Sequence, residues 1–241
     1  MALLAAFVPH LMSPNLQENI LDLLLSIPAF VIAFTIHEFA HAWSADRLGD
    51  DTPRRLGRLT LDPLAHLDPF GSIMFVLTRL VGFGLGWAKP VPFSPRNLGH
   101  PRRDVMLIAV AGPISNLLQV PVWVALLFGF RVLAQHFGWD NGLISGNQFA
   151  PAALVTAMLM QGVIINLVLA AFNMLPFPPL DGHYVLEGLG PPFIADLFQA
   201  MRPYSFMLLM AMSYFGLFSY VITPFAMFGY RLVAFALGAG F

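Results

Sequence analysis

His37-Glu38-Phe39-Ala40-His41 places two imidazoles and a carboxylate inside the apolar run from Phe34 to Trp43. Ionisable groups at membrane depth are costly, and they concentrate where there is function. On a helix advancing about 100° per residue, His37 and His41 share one face, a turn apart, with Glu38 on its flank. This is the H-E-x-x-H pattern, in which both imidazoles bind zinc and the glutamate acts on the water at the metal. The plainer alternative is two chance histidines satisfied by neighbouring carbonyls.

Two histidines do not complete a catalytic zinc site, which takes three protein ligands and keeps a fourth position open. The chain has no cysteine, so it has neither thiolate ligands nor disulfides. The other histidines are His10, His66, His100, His136 and His183. A second stretch, Asn173-Met174-Leu175-Pro176-Phe177-Pro178-Pro179-Leu180-Asp181-Gly182, interrupts the end of an apolar run with three prolines and then presents a carboxylate. Interrupted membrane helices mark binding sites, because freed backbone groups need partners. Taken alone, Asp181 reads as a solvated residue at a helix exit. The topology argued below returns it to the side where His41 sits.

These residues must be positioned by membrane elements. Of 241 residues, 58% are hydrophobic and 10% charged, well below the quarter charged in soluble domains. Mean hydropathy is +0.73. A net charge of -1 with no basic stripe excludes nucleic acid as a partner. Residues 1–12 are too short to span, carry Pro9 and lack a basic lead, so an interfacial lead-in is expected, not a cleaved signal peptide. Helical spans are predicted for about Leu16–Leu48, Arg103–Gln135 and Pro151–Leu175, followed by two segments at about Pro203–Ile222 and Pro224–Gly238. Between the first two spans, Asp68–Trp87 is apolar but weakened as a helix by Gly71, Gly82, Gly84 and Gly86. Pro90 and Pro92 then favour an extended or edge strand over 86–93.

Nine of the twelve basic residues lie between Arg47 and Arg103, and the 136–150 connection has none. If 68–87 crosses the membrane, these charges divide between its two sides. If it re-enters, they share one side, which the positive-inside rule favours. The expectation is therefore that 49–102 is cytosolic and that the metal helix runs from outside to inside.

An H-E-x-x-H pair in a membrane helix, followed by N-x-x-P-x-P-x-L-D-G, resembles the site-2 protease family of intramembrane zinc metalloproteases. Gly112-Pro113-Ile114-Ser115-Asn116 is similar to that family's G-x-x-x-N element, and Gly86 to Pro92 to its strand-forming segment. The resemblance covers roughly Ile27 to Glu187. It implies an all-α polytopic membrane protein with a three-helix catalytic core and further membrane helices, plus a small embedded β segment between the first two core helices. One metalloprotease domain over 1–241 follows, with its core at about 16–190 and C-terminal membrane helices at about 203–238. It is expected to lack the PDZ insertion and the C-terminal nucleotide-sensing domain of other members.

By the same resemblance His37, His41 and Asp181 hold one Zn2+ per chain and Glu38 is the base. Asn116 and Asn173 are candidates for binding substrate or an oxyanion. For Asn116, a plain helix–helix hydrogen bond is an equal alternative. His183 reads as an interfacial histidine with a possible role beside Asp181, and His66 and His100 as loop histidines. The implied function is cleavage of transmembrane protein substrates in the bilayer near the cytosolic side, in a prokaryotic cell membrane. The rivals are a non-proteolytic membrane metal-binding protein, which has no use for Glu38, and a metal transporter, which needs polar residues along several spans.

Overall fold

The computed structural model describes residues 16–80, 86–139 and 149–238; the lead-in expected over 1–12 lies outside them. The order is α1 (Leu16–Arg47), a single turn Thr52–Arg55, α2 (Pro69–Leu80), α3 (Pro101–His136), α4 (Pro151–Asn173), α5 (Asp181–Leu189), α6 (Phe193–Met201), α7 (Ser205–Tyr214) and α8 (Leu217–Ala236). Among the described residues, α1, α3, α4 and α8 are long and apolar enough to cross a membrane. Together with the composition, these make the chain a multi-pass membrane protein.

The three long helices α1, α3 and α4 pack against one another, α8 lies on α4 and α3, and α5 lies on α3. Trp123 and Leu127 of α3, Leu159 and Val163 of α4 and Val233 of α8 form one buried cluster. In lipid such a cluster gains by close van der Waals packing, since leaving the surrounding hydrocarbon offers little. A second cluster, Leu175, Phe177, Leu180, Leu209 and Phe218, packs the proline-rich break beneath α7 and α8. The break is thus part of the core.

Two departures from the sequence expectations have physical causes. The C-terminal region does not divide at Pro224: α8 runs through that proline, as membrane helices do where neighbours re-satisfy the freed carbonyl. It divides at Gly216, whose positive φ of 67° ends α7 after ten residues. No strand forms among the described residues. The 86–93 stretch makes one isolated antiparallel bridge, Leu67 with Ala88, and Lys89 N–H donates to His66 O at 3.0 Å. Pro90 and Pro92 have no N–H to extend a ladder. The buried Arg58 guanidinium donates instead to the carbonyls of Ala65, Lys89 and Pro90, so a side chain takes the place of a partner strand.

The same contacts bear on whether 68–87 crosses the membrane. Its helix α2 has 12 residues, about 18 Å of length against the roughly 30 Å of a hydrocarbon core. Gly71, near the start of α2, lies directly against the carbonyl of Trp87. With Leu67 bridged to Ala88, the segment leaves and returns at one place. Residues 81–85 lie outside the described residues. The connection is anchored further by buried Asp50, whose carboxylate accepts from Ser94 N–H at 2.6 Å and Asn97 Nδ2 at 2.7 Å.

Candidate metal centre

His37 and His41 face inward from α1 and are buried, as is Glu38 between them. Asp181 comes from the first residue of α5, delivered by the proline-rich break. Its Oδ2 lies 3.2 Å from His37 Nε2 and 3.3 Å from His41 Nε2. The two Nε2 atoms are 3.0 Å apart. These three side chains are the group of metal-ligating type that converges among the described residues.

The protons of the two rings follow from their other nitrogens. His41 Nδ1 lies 2.7 Å from the carbonyl oxygen of Ile108, which only accepts, so Nδ1 donates. His37 Nδ1 lies 2.6 Å from Asn116 Oδ1. The orientation of that amide is fixed by its Nδ2, which faces Ala33 O at 3.2 Å and Asn166 Oδ1 at 2.9 Å, both acceptors. Asn166 is oriented in turn by its Nδ2, which donates to Gly162 O at 2.8 Å. His37 therefore also donates from Nδ1. In the neutral form of each ring Nε2 would present a bare lone pair.

Two ring nitrogens and a carboxylate oxygen thus meet, and Asp181 Oδ2 is buried without a hydrogen-bond partner. A metal cation would satisfy all three at once. Zinc accepts nitrogen and carboxylate ligands at about 2.0–2.2 Å, which sets ligand atoms roughly 3.3 Å apart in a tetrahedral shell. The observed separations fit that ion. The space is kept by Gly112 of α3: a Cβ there would sit 2.4 Å from His41 Nε2 and 2.6 Å from His37 Nε2. Gly182 has a comparable duty, since a Cβ would sit 2.3 Å from the carbonyl oxygen of Met174, where α5 crosses the end of α4.

A Bacillus subtilis protein named "Putative zinc metalloprotease YwhC" is 37% identical over 199 residues, spanning 80% of this chain and 82% of that protein. "Putative zinc metalloprotease MJ0611" of Methanocaldococcus jannaschii is 42% identical over 170 residues, 70% of this chain and 72% of its own. The chain belongs to the site-2 protease family of zinc metalloproteases. "Putative zinc metalloprotease Rip2" of Mycolicibacterium smegmatis is a more distant relative, 28% identical over 164 residues, of which the match covers 56%. No protein-family model matches the chain, and no solved structure does.

Within this family member, the candidate polar residues differ in their burial and partners. Asn116 is fully buried, and both ends of its amide are engaged, with His37 on one side and Ala33 and Asn166 on the other. Its side chain holds the His37 ring. Asn173 donates its amide to Leu169 O of its own helix at 3.0 Å. His183 is buried, not interfacial, and its Nδ1 donates to Leu180 O at 2.5 Å. Burial pushes its pKa below the ordinary imidazole value. His66 is likewise fully buried, with Nε2 donating to Thr60 O at 2.9 Å. Asn166 went unnoticed in the sequence; its signal was an amide in the middle of an otherwise apolar run.

Proposed function

We propose that this chain is a zinc-dependent intramembrane endopeptidase that cuts transmembrane segments of other membrane proteins near the cytosolic side. The observation that carries the reading is the convergence of His37 Nε2, His41 Nε2 and Asp181 Oδ2 on a membrane-capable helix, with a carboxylate, Glu38, buried beside them. Zinc bound there would lower the pKa of a water to about 7 and polarise the scissile carbonyl. With zinc held by His37, His41 and Asp181, Glu38 would accept a proton from the attacking water as its oxygen bonds to the scissile carbon, and would give a proton to the leaving amine as the C–N bond breaks. His37 and His41 are oriented by their Nδ1 protons, which Asn116 Oδ1 and Ile108 O accept. Asn173 is half-buried and has spent one amide hydrogen on Leu169 O. The second remains for the substrate carbonyl oxygen as charge develops on it.

A substrate helix must unwind first, because helical carbonyls are already bonded. On this reading the unwound segment lies along 86–93, which the Arg58 guanidinium and the Leu67–Ala88 bridge hold in place. The basic residues clustered between Arg47 and Arg103 put the 49–102 connection in the cytosol by the positive-inside rule. The setting is a prokaryotic cell membrane, and 1–241 acts as one metalloprotease domain with one zinc.

The test uses the full chain in bilayers with a cleavable transmembrane substrate and parallel metal analysis. Glu38→Gln removes the base and no ligand, so it should keep zinc and lose cleavage. Asp181→Ala should lose both together. Undiminished cleavage by Glu38→Gln would sink the mechanism.

A further inference from the structure

Beyond the metal centre, a cavity of about 570 Å³ opens between residues 91–95, the first turn of α3, α5 and the end of α6. We propose that it receives the flank of the cleaved segment on the side of the 49–102 connection, and that it selects an acidic side chain in that flank. The inference rests on the proteolytic reading above and adds a substrate preference to it.

Position is the first argument. Tyr184 and Glu187 line the cavity from α5, one and nearly two turns after Asp181. The cavity therefore begins about 5 Å along the helix axis from the ligand. Val91, Pro92 and Phe93 form its opposite wall and continue the extended stretch bridged at Ala88. A chain lying along 86–93 past the metal centre runs into this space. Its volume falls within the range of about 300–1,000 Å³ typical of ligand pockets.

Charge is the second. Arg102 and Arg202 face the cavity against a single carboxylate, Glu187. Arg102 spends Nε on Glu187 O at 3.0 Å and Nη2 on Gly190 O, both backbone carbonyls, which leave its charge uncompensated. Arg202 reaches the Glu187 carboxylate only at 3.6 Å, lies over the Tyr184 ring and is half exposed. The nearby Asp104 is buried and occupied by His100 N–H and Arg103. One positive charge is left over beside an apolar wall of proline, valine and aromatic rings. A peptide flank with an apolar residue next to Asp or Glu matches both features.

The experiment measures cleavage by the full chain in bilayers of substrates whose flank carries Asp, Asn or Lys, walked over four successive positions. At one position kcat/KM should favour Asp over Lys by about fivefold, with Asn between, as a solvent-accessible ion pair allows. Arg202→Glu should reverse that order, and Arg202→Gln should flatten it. Anisotropy of labelled flank peptides on the Glu38→Gln protein reads the same preference without cleavage, so failure of the proteolytic reading and failure of the cavity are told apart. Equal use and equal binding of Asp and Lys peptides would overturn the proposal. So would an Arg202→Glu effect that follows the anionic lipid content of the bilayer and ignores the flank.

Discussion

His37 Nδ1 and Asn116 Oδ1 lie 2.6 Å apart across α1 and α3, so an amide on one helix aims the metal-facing nitrogen of an imidazole on another. The aim is set further back, by Asn166 on α4. Partners of this kind typically control metal affinity by 10- to 100-fold. Asn116→Ala should weaken zinc binding by about that factor and Asn166→Ala by less, in competition with a chelator. Asn116→Asp keeps the acceptor toward His37 but sets a second buried oxygen against Ala33 O and Asn166 Oδ1, so it should lose affinity as well. Full affinity in Asn116→Ala would assign that amide to helix packing alone.

Gly112→Ala is a sharper test of the cavity that holds the ion. The added methyl has no room beside the two Nε2 atoms, and both rings are pinned from behind. Zinc content and cleavage should fall together. Gly129→Ala on the same helix meets nothing within 4 Å and should leave both intact while showing that α3 accepts alanine. A zinc-replete Gly112→Ala would mean the rings have freedom that their hydrogen bonds deny.

Asp50 links stability to pH. Burial pushes its carboxyl up, but hydrogen bonds from Thr52 Oγ1, Ser94 N–H, Asn97 Nδ2 and Thr52 N–H outweigh that and hold it below its ordinary value of 3.8. A carboxyl lowered in the fold gives stability that is complete above its unfolded pKa and is lost as pH falls through the folded one. Thermal midpoints in detergent should therefore drop as pH falls below about 4. In Asp50→Asn the midpoint should be lower at neutral pH, and this part of the acid loss should vanish. An unchanged acid profile in that variant would remove Asp50 as the cause.

The absence of native cysteines makes topology directly readable. Single cysteines at Arg55, Leu61 and Arg96 should all label from the cytosol, the last two because 68–87 returns where it began. A cysteine at Trp139, just beyond the end of α3, should label from the opposite side. Labelling of Leu61 and Arg96 from different sides would mean that the segment crosses.

The long helices were legible because bilayer thickness sets their length and hydropathy reports it; α1 ends within a residue of its expected limit. The residues that meet at the centre were legible for another reason: each lies in a short contiguous motif, and pairing two histidines a turn apart needs no tertiary information. Roles that depend on a partner far along the chain were hidden. The hydrogen bonds of Asn116 to Ala33 and Asn166 on neighbouring helices were not legible in its own motif. Arg58 looked like one more cytosolic charge, yet it stands in for a strand. Pro224 is a strong local signal for a break, but its neighbours absorb it and Gly216 ends the preceding helix.

Two of the converging atoms belong to α1, and the third begins α5, far along the chain. An ion shared between them would be a removable cross-link that adds to the packing of α5 on α3. Each tenfold excess of free zinc over its dissociation constant adds about 1.4 kcal/mol to the docked arrangement. Metal supply would then set how firmly this helix is clamped to the bundle.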